Sequence, residues 1–185
     1  AIVGAFGASL CSMVAAISFE KCKSNILKTK MLKLGNESQK LMKSLSFYVD
    51  EDSNAFKRTI KVSRLPEENE ELKKNKLNKI AKANKYSAEI PFCVAKNCRD
   101  LLKIAKVLSL EGYVPSLCDV NVAGELLMSG IKGAISNVEV NIPNINDKLY
   151  VERLETEIKS ISEESELLLS AINNNFIQSI NSDEL

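Results

Sequence analysis

Residues 49–56 read VDEDSNAF, and the pattern around them is helical. Asp52 lies three residues after Val49 and four residues before Phe56, spacings at which side chains share one face of an α-helix. The same face carries the apolar residues Leu41, Leu45, Val49, Phe56 and Ile60. The pattern therefore predicts that Asp52 points toward the core, where a carboxylate is rarely found without a partner or a function. Asp50 and Glu51 are rotated away from this face.

The same periodicity covers nearly the whole chain and predicts an all-α fold, a single-domain bundle over residues 1–185. About six helices are expected, with long helices at both ends. Four of them have approximate limits of 1–33, 37–64, 91–112 and 146–180, and the other two are expected to begin near Pro66 and near Ser116. The expected boundaries rest on Gly35, on Asn36 with Gln39 as a capping box, and on Pro66, Pro91 and Gly112. Only residues 138–142 alternate like a strand, and five residues cannot form a sheet.

Composition excludes several classes of function. Hydrophobic residues make up 45% of the chain and charged residues 26%, as in ordinary globular proteins. The net charge is +1 and tryptophan is absent, so we expect no nucleic-acid partner. Histidine is absent as well, which excludes Ser-His-Asp and Cys-His catalysis and removes the commonest transition-metal ligand. The five cysteines include no C-x-x-C pair, so we expect reduced thiols, no metal and a cytoplasmic location.

The first nineteen residues carry no charge, which fits either a membrane span or a buried helix. Gly4, Ala8 and Ser12 recur at four-residue intervals, a spacing that allows close helix packing in both settings. We favour a buried helix and expect no membrane partner, because no later segment resembles a membrane protein. Apolar stripes near both termini further predict that a second copy completes the core, giving a homodimer or a higher homo-oligomer.

Four segments together resemble the cyclodeaminase domain of formiminotransferase-cyclodeaminase and its stand-alone relatives, the methenyltetrahydrofolate cyclohydrolases. They are FGASLCSMV at 6–14, VDEDSNAF at 49–56 with RLP at 64–66, SLCDVNVA at 116–123, and GAISNVEVNI at 133–142. Their order and spacing agree with the family over about residues 1–150. The resemblance implies an all-helical fold that dimerises, a reduced-folate substrate and no further cofactor. It assigns catalysis to the second acid of the V-D-x-D-x-x-A-F pattern, which is Asp52.

The family chemistry suits a carboxylic acid. Cyclodeamination requires attack by a folate nitrogen on a formimino carbon and protonation of the departing ammonia. Cyclohydrolysis requires a water that loses a proton as it attacks a methenyl carbon. A carboxyl group in an apolar site can serve either step as general acid or base. The alternative is that Asp52 belongs to a structural hydrogen-bond network.

Three further residues are candidates for substrate binding. Asp119 can accept hydrogen bonds from a pterin ring, or it can belong to a helix cap with Ser116. Asn137 and Asn141 can donate to and accept from a pterin edge, or they can serve turn chemistry. Six lysines between residues 73 and 85 can attract a polyglutamylated folate, although a solvated helix face explains them more simply.

The sequence thus leads to three hypotheses. The first is an enzyme that cyclodeaminates 5-formiminotetrahydrofolate, with methenyltetrahydrofolate cyclohydrolase as its sibling. The second is a helical binding or assembly module without catalysis. The third is a membrane-anchored helical protein.

Overall fold

Five α-helices form the chain in a computed structural model that describes residues 1–181. They are α1 (Ile2–Lys21), α2 (Asn25–Ser63), α3 (Glu70–Glu111), α4 (Leu117–Asn141) and α5 (Lys148–Asn181). Short 3-10 turns at Val114–Ser116 and Ile142–Asn144 flank α4. Within residues 1–181 there is no β-strand, so the all-α prediction is confirmed and the number of helices is five rather than six.

Helices α1, α3 and α4 pack against one another at the centre of the bundle. Helix α2 covers α1 and α3 on one side, and α5 covers α3 and α4 on another. The largest fully buried side chains come from all five helices: Met31, Leu45, Leu101, Leu102, Leu108, Leu127, Ile131, Ile172, Val14, Val120, Val138 and Cys11. Burial of such side chains is the main term that stabilises the bundle.

Helix α1 is long and apolar enough to cross a membrane by length and composition alone. In the bundle it serves as a central helix, and Gly4, Gly7, Ala8 and Cys11 on one of its faces are buried. These small residues let α1 approach its neighbours closely, as the spacing in the sequence predicted. Buried core helices pass the same test of length and hydropathy, so this helix alone is weak support for a membrane role.

The first predicted helix boundary was wrong. Helix α1 ends at Lys21 and α2 begins at Asn25. The Ser24 side chain caps α2 by accepting a hydrogen bond from the Leu27 amide at 3.4 Å. Gly35 lies inside α2, where its Cα faces α1 closely enough that an added methyl group would be 3.5 Å from the Ala15 Cβ. That is an ordinary van der Waals distance, so Gly35 faces α1 without ending the helix, and the Asn36 signal beside it is internal to a helix.

Both proline signals were also misplaced. Helix α3 begins four residues after Pro66, where the Asn69 side chain accepts from the Leu72 amide at 2.8 Å. Glu70 and Glu71 occupy the first turn, where negatively charged side chains interact favourably with the positive end of the helix dipole. Pro91 lies inside α3 and is buried, so α3 continues through a residue that lacks the N–H for a bond to the preceding turn.

The later boundaries were predicted better. Gly112 follows the end of α3, and α4 begins directly after Ser116. The apparent strand at 138–142 is instead the last turn of α4 and the start of the next 3-10 turn. The predicted last helix corresponds to α5, whose inner face buries Leu154, Ile158, Ile161, Leu168 and Ile172.

Candidate active site

A cleft of about 350 Å³ opens between four of the five helices. Ligand sites in proteins commonly begin at this size. Its lining residues are Ala1, Ile2 and Val3 at the start of α1; Tyr48, Val49 and Asp52 on α2; Ile90, Pro91 and Val94 on α3; and Ser129, Gly130, Gly133, Ala134 and Asn137 on α4. The walls are mostly apolar and carry few polar groups, an arrangement that suits a flat organic ligand.

Asp52 lines this cleft and is exposed, so the prediction that it points into the core was wrong. The apolar stripe on which it lies leaves the core halfway along α2. Leu45 is fully buried, whereas Val49 is 38% exposed and Phe56 is 68% exposed. Helix α3 covers a neighbouring face of α2 instead, where Ala55 is buried. Asp52 is therefore accessible from solvent at the edge of an apolar cleft, which leaves its carboxylate free to meet a substrate.

The acid that contacts α3 is Glu51, which the helical pattern had rotated away from the core. Its carboxylate accepts a hydrogen bond from the Tyr86 hydroxyl and another from the Asn54 side chain at 3.0 Å. The hydrogen bond from Tyr86 is the main cause that lowers the pKa of Glu51, and the bond from Asn54 adds to it. The Arg58 guanidinium lies over the Tyr86 ring, 4.5 Å from its centroid. Glu51 thus ties α2 to α3 beside the cleft.

Tyr48 lies one helical turn before Asp52 and lines the same cleft. Its hydroxyl interacts with the Cys93 thiol and with Ser44. Partial burial is the main cause that raises the pKa of Tyr48, and it also raises the pKa of Cys93. Both groups therefore stay protonated at neutral pH, and Tyr48 offers the cleft a neutral phenol.

Polar contacts continue behind Cys93, away from the cleft. The Glu89 carboxylate accepts hydrogen bonds from the Cys93 thiol at 3.7 Å and from the Tyr150 hydroxyl at 2.9 Å. Burial is the main cause that raises the pKa of Tyr150, and the bond to Glu89 adds to it. This chain of contacts joins α3 to the start of α5. No sequence pattern predicted these contacts, because Tyr48, Cys93 and Tyr150 are far apart along the chain.

The floor of the cleft is a close crossing of α1 and α4. A methyl group on Gly130 would be 3.5 Å from the backbone nitrogen of Gly4 and 3.1 Å from the Cys98 sulfur. A methyl group on Gly4 would lie only 2.5 Å from that sulfur. Burial raises the pKa of Cys98 to about 12, so its thiol is a packing group rather than a nucleophile.

The three predicted binding residues do not come together. Asn137 lines the cleft. Asn141 lies one turn further on, where its side-chain amide donates to the Asn137 backbone carbonyl at 2.8 Å, and it does not line the cleft. Both lie within α4, so the alternative that they serve turn chemistry was wrong.

Asp119 occupies the first turn of α4, whereas the cleft residues of α4 begin at Ser129. At a rise of about 1.5 Å per residue, about 15 Å along the helix separates these positions. Asp119 therefore does not share the cleft with Asp52 within one chain. The Ser116 side chain makes no capping hydrogen bond, so the predicted Ser116–Asp119 cap is not formed through that hydroxyl.

Three of the six lysines in the basic run of α3 pair with acids. Lys76 lies 2.7 Å from Glu67, Lys85 lies 2.6 Å from Asp147, and Lys73 pairs more loosely with Glu70. Within residues 1–181 no three His, Cys, Asp or Glu side chains lie close enough to hold a metal ion, and all five cysteines are free thiols.

The formiminotransferase-cyclodeaminase family model matches residues 1–160. The chain belongs to this family. The match includes every helix that lines the cleft, together with Asp52, Asp119, Asn137 and Asn141. The resemblance seen in the four sequence segments is thereby confirmed.

Among curated members of the family, a methenyltetrahydrofolate cyclohydrolase from Methylorubrum extorquens is 27% identical over 165 residues, which span 89% of this chain and 79% of that protein. A formimidoyltransferase-cyclodeaminase from Sus scrofa is 26% identical over 89% of this chain, yet the chain spans only 30% of that protein's length. The fold is similar to that of a formiminotetrahydrofolate cyclodeaminase from Thermotoga maritima, with a TM-score of 0.86 at 19% identity over 97% of this chain and 85% of that one.

Proposed function

We propose that this chain is a reduced-folate enzyme that makes 5,10-methenyltetrahydrofolate from 5-formiminotetrahydrofolate, with Asp52 as the proton-transfer residue. One observation carries the proposal. Asp52, the acid that the family pattern assigns to catalysis, lines an apolar cleft of suitable size together with Asn137. Membership of the family and the names of its curated relatives support the substrate class.

The proposed reaction closes a ring and releases ammonia. Nitrogen N10 of the folate attacks the formimino carbon, and the bond from that carbon to its terminal nitrogen breaks. Asp52 accepts the N10 proton and returns it to the departing nitrogen, while a further proton from solvent completes ammonia. General acid–base catalysis of this kind contributes about 10²–10⁴-fold to a rate. Asn137 can both donate to and accept from a pterin edge, and the apolar walls can cover the ring.

A second candidate is methenyltetrahydrofolate cyclohydrolase. It is supported by the cyclohydrolase relative from Methylorubrum extorquens, which is 27% identical to this chain over 165 residues. In this reaction water attacks the methenyl carbon and gives a proton to Asp52. The bond from that carbon to N5 then breaks, the new hydroxyl loses its remaining proton to solvent, N5 takes up the proton held by Asp52, and the one-carbon unit remains on N10 as a formyl group.

The two reactions share one chromophore, so a single assay separates them. The purified chain is mixed with either 5-formiminotetrahydrofolate or 5,10-methenyltetrahydrofolate, and methenyl absorbance and ammonia are followed together. Growth of the absorbance with equal ammonia supports cyclodeamination. Loss of the absorbance above the spontaneous rate, without ammonia, supports cyclohydrolysis instead. If neither signal changes while the protein is folded, the enzyme proposal is wrong and the non-catalytic module replaces it.

A further inference from the structure

Gly133 is a glycine without a packing reason. It lies inside α4, about two turns before the helix ends at Asn141, so it does not serve as a helix cap. It is exposed, it lines the cleft, and a methyl group built on it would meet no neighbouring atom of residues 1–181 within 4 Å.

The other glycines of α4 are explained by their contacts. A methyl group on Gly130 would be 3.1 Å from the Cys98 sulfur, and one on Gly124 would be 3.1 Å from Leu169 Cδ1. Both distances are tighter than ordinary van der Waals contact. These two glycines let neighbouring helices approach α4, whereas nothing in the bundle approaches Gly133.

Glycine in a helix interior has a cost, because it loses more backbone freedom on folding than alanine does. The difference is about 0.5–1 kcal/mol per position. Among the described residues, neither packing nor helix capping explains a glycine at this position, which leaves the open space above it as the feature that a side chain would remove. The space belongs to the cleft that also contains Asp52 and Asn137.

The surroundings suit a flat ring better than a chain or a compact ion. Before Asn137, α4 presents only Ser129, Gly130, Gly133 and Ala134 to the cleft, so no long side chain rises from this wall. Val3, Ile90 and Val94 supply apolar contact around it. A planar heteroaromatic ring can lie against exposed helix backbone over Gly133 and place its polar edge within reach of the Asn137 amide.

Resting on the proposed function, we infer that Gly133 determines the specificity of the cleft by leaving room for the pterin ring against α4. A side chain at this position occupies the volume that the ring needs. The carboxylate of Asp52 lines the same cleft and faces the ligand from α2. Gly133 is thus a binding determinant that takes no part in proton transfer.

The test is the affinity for tetrahydrofolate, measured by equilibrium dialysis, for the full chain and for Gly133→Leu. We expect the dissociation constant to rise at least about tenfold, as for added carbon atoms in a fitted pocket. Gly133→Ala should give a smaller rise and serves if the leucine variant folds poorly. The matched control is Ser136→Leu, an exposed position on the same helix outside the cleft, which should bind as the wild type does.

Each outcome decides the inference. If the wild type binds and Gly133→Leu binds equally well, the role of Gly133 is wrong while the proposed function stands. If the wild type binds no tetrahydrofolate, both are wrong. Light scattering on the same samples measures the oligomeric state and identifies a third outcome. A change of oligomeric state in Gly133→Leu alone would mean that a second copy fills this space, and it would overturn the inference.

Discussion

Gly130 and Gly133 lie one turn apart on α4, yet they belong to regions of opposite character. Gly130 faces the crossing of α1 and α4, where a methyl group would be 3.1 Å from the Cys98 sulfur, tighter than ordinary van der Waals contact. Gly133 faces the open cleft beside that crossing, where a methyl group meets no atom of residues 1–181 within 4 Å. The same residue type favours close packing in one region and is unfavourable for stability in the other. The comparison teaches that a cleft can be recognised where a residue weakens the fold without a structural benefit.

The largest effect on the fold should come from Gly7→Ala at the same crossing. The new methyl group would lie 2.7 Å from Leu127 Cγ and 3.2 Å from the Ala123 carbonyl oxygen. Leu127 is fully buried, so the clash forces either its side chain or the backbone of α4 to move. We expect the free energy of unfolding to fall by about 2–3 kcal/mol in urea denaturation. An unchanged midpoint would mean that α1 is packed less tightly than the crossing requires.

A smaller loss should follow from Gly4→Ala, because its clash is with side chains alone, severe at the Cys98 sulfur and slight at Leu45 Cδ1, 3.3 Å away. The Cys98 sulfur would lie 2.5 Å from the new methyl group, and we expect a loss of about 1–2 kcal/mol. Removing that sulfur with Cys98→Ala should relieve much of the clash. A double-mutant cycle measures this relief as a departure from additivity. Additive effects of the two substitutions would show that Cys98 does not fill the crossing.

On the cleft side of α4, a glycine-to-alanine substitution should increase stability instead of decreasing it. Gly133→Ala should raise the free energy of unfolding by about 0.5–1 kcal/mol, because alanine favours the helix and meets no neighbour. The same denaturation series reports it, with Gly130→Ala as the control that should not gain stability. A loss of stability in Gly133→Ala would remove the contrast between the two regions.

The smallest effect concerns the contact between α2 and α3 beside the cleft. The hydrogen bond from the Tyr86 hydroxyl lowers the pKa of Glu51 in the folded protein. This bond therefore stabilises the fold fully above the ordinary carboxyl pKa, and the stabilisation is lost as pH falls through the lowered pKa of Glu51. Tyr86→Phe should therefore lower Tm slightly at pH 7, and the difference should vanish in acid. Tyr113→Phe, at an exposed tyrosine elsewhere, should show no such pH dependence. A constant difference for Tyr86→Phe across pH would exclude the Glu51 carboxylate as its cause.

Periodicity in the sequence was enough to predict an all-helical fold and the last helix, because burial repeats along α5 at helical spacing. Local signals were less reliable. Gly35 lies inside α2 against α1 rather than at a helix end, and Pro91 lies buried inside α3 rather than at its start. Both outcomes depend on neighbours far away in the sequence, which local patterns do not contain.

The candidate site shows the same limit. The apolar stripe distinguished Asp52 from its two neighbouring acids but predicted a core position for a residue that lies exposed at the cleft. It could not show that α3 covers the face of Glu51 instead. Asn137 was found and shares the cleft, whereas Asp119 was placed in the same site although it lies near the other end of α4. In the sequence, Gly133 was noted only as part of a motif. Its proposed role depends on the open cleft beside it, which a sequence pattern does not show. The dimer stays a prediction.

The central claim is that Asp52 transfers a proton in this cleft, and Asp52→Asn tests it most directly. Its matched control is Asp50→Asn, an exposed acid two residues earlier that does not line the cleft. We expect kcat of Asp52→Asn to fall at least about 100-fold in the methenyl absorbance assay, while its tetrahydrofolate affinity and Tm stay near the wild-type values. Asp50→Asn should keep full activity. Turnover near the wild-type rate in Asp52→Asn would contradict the account.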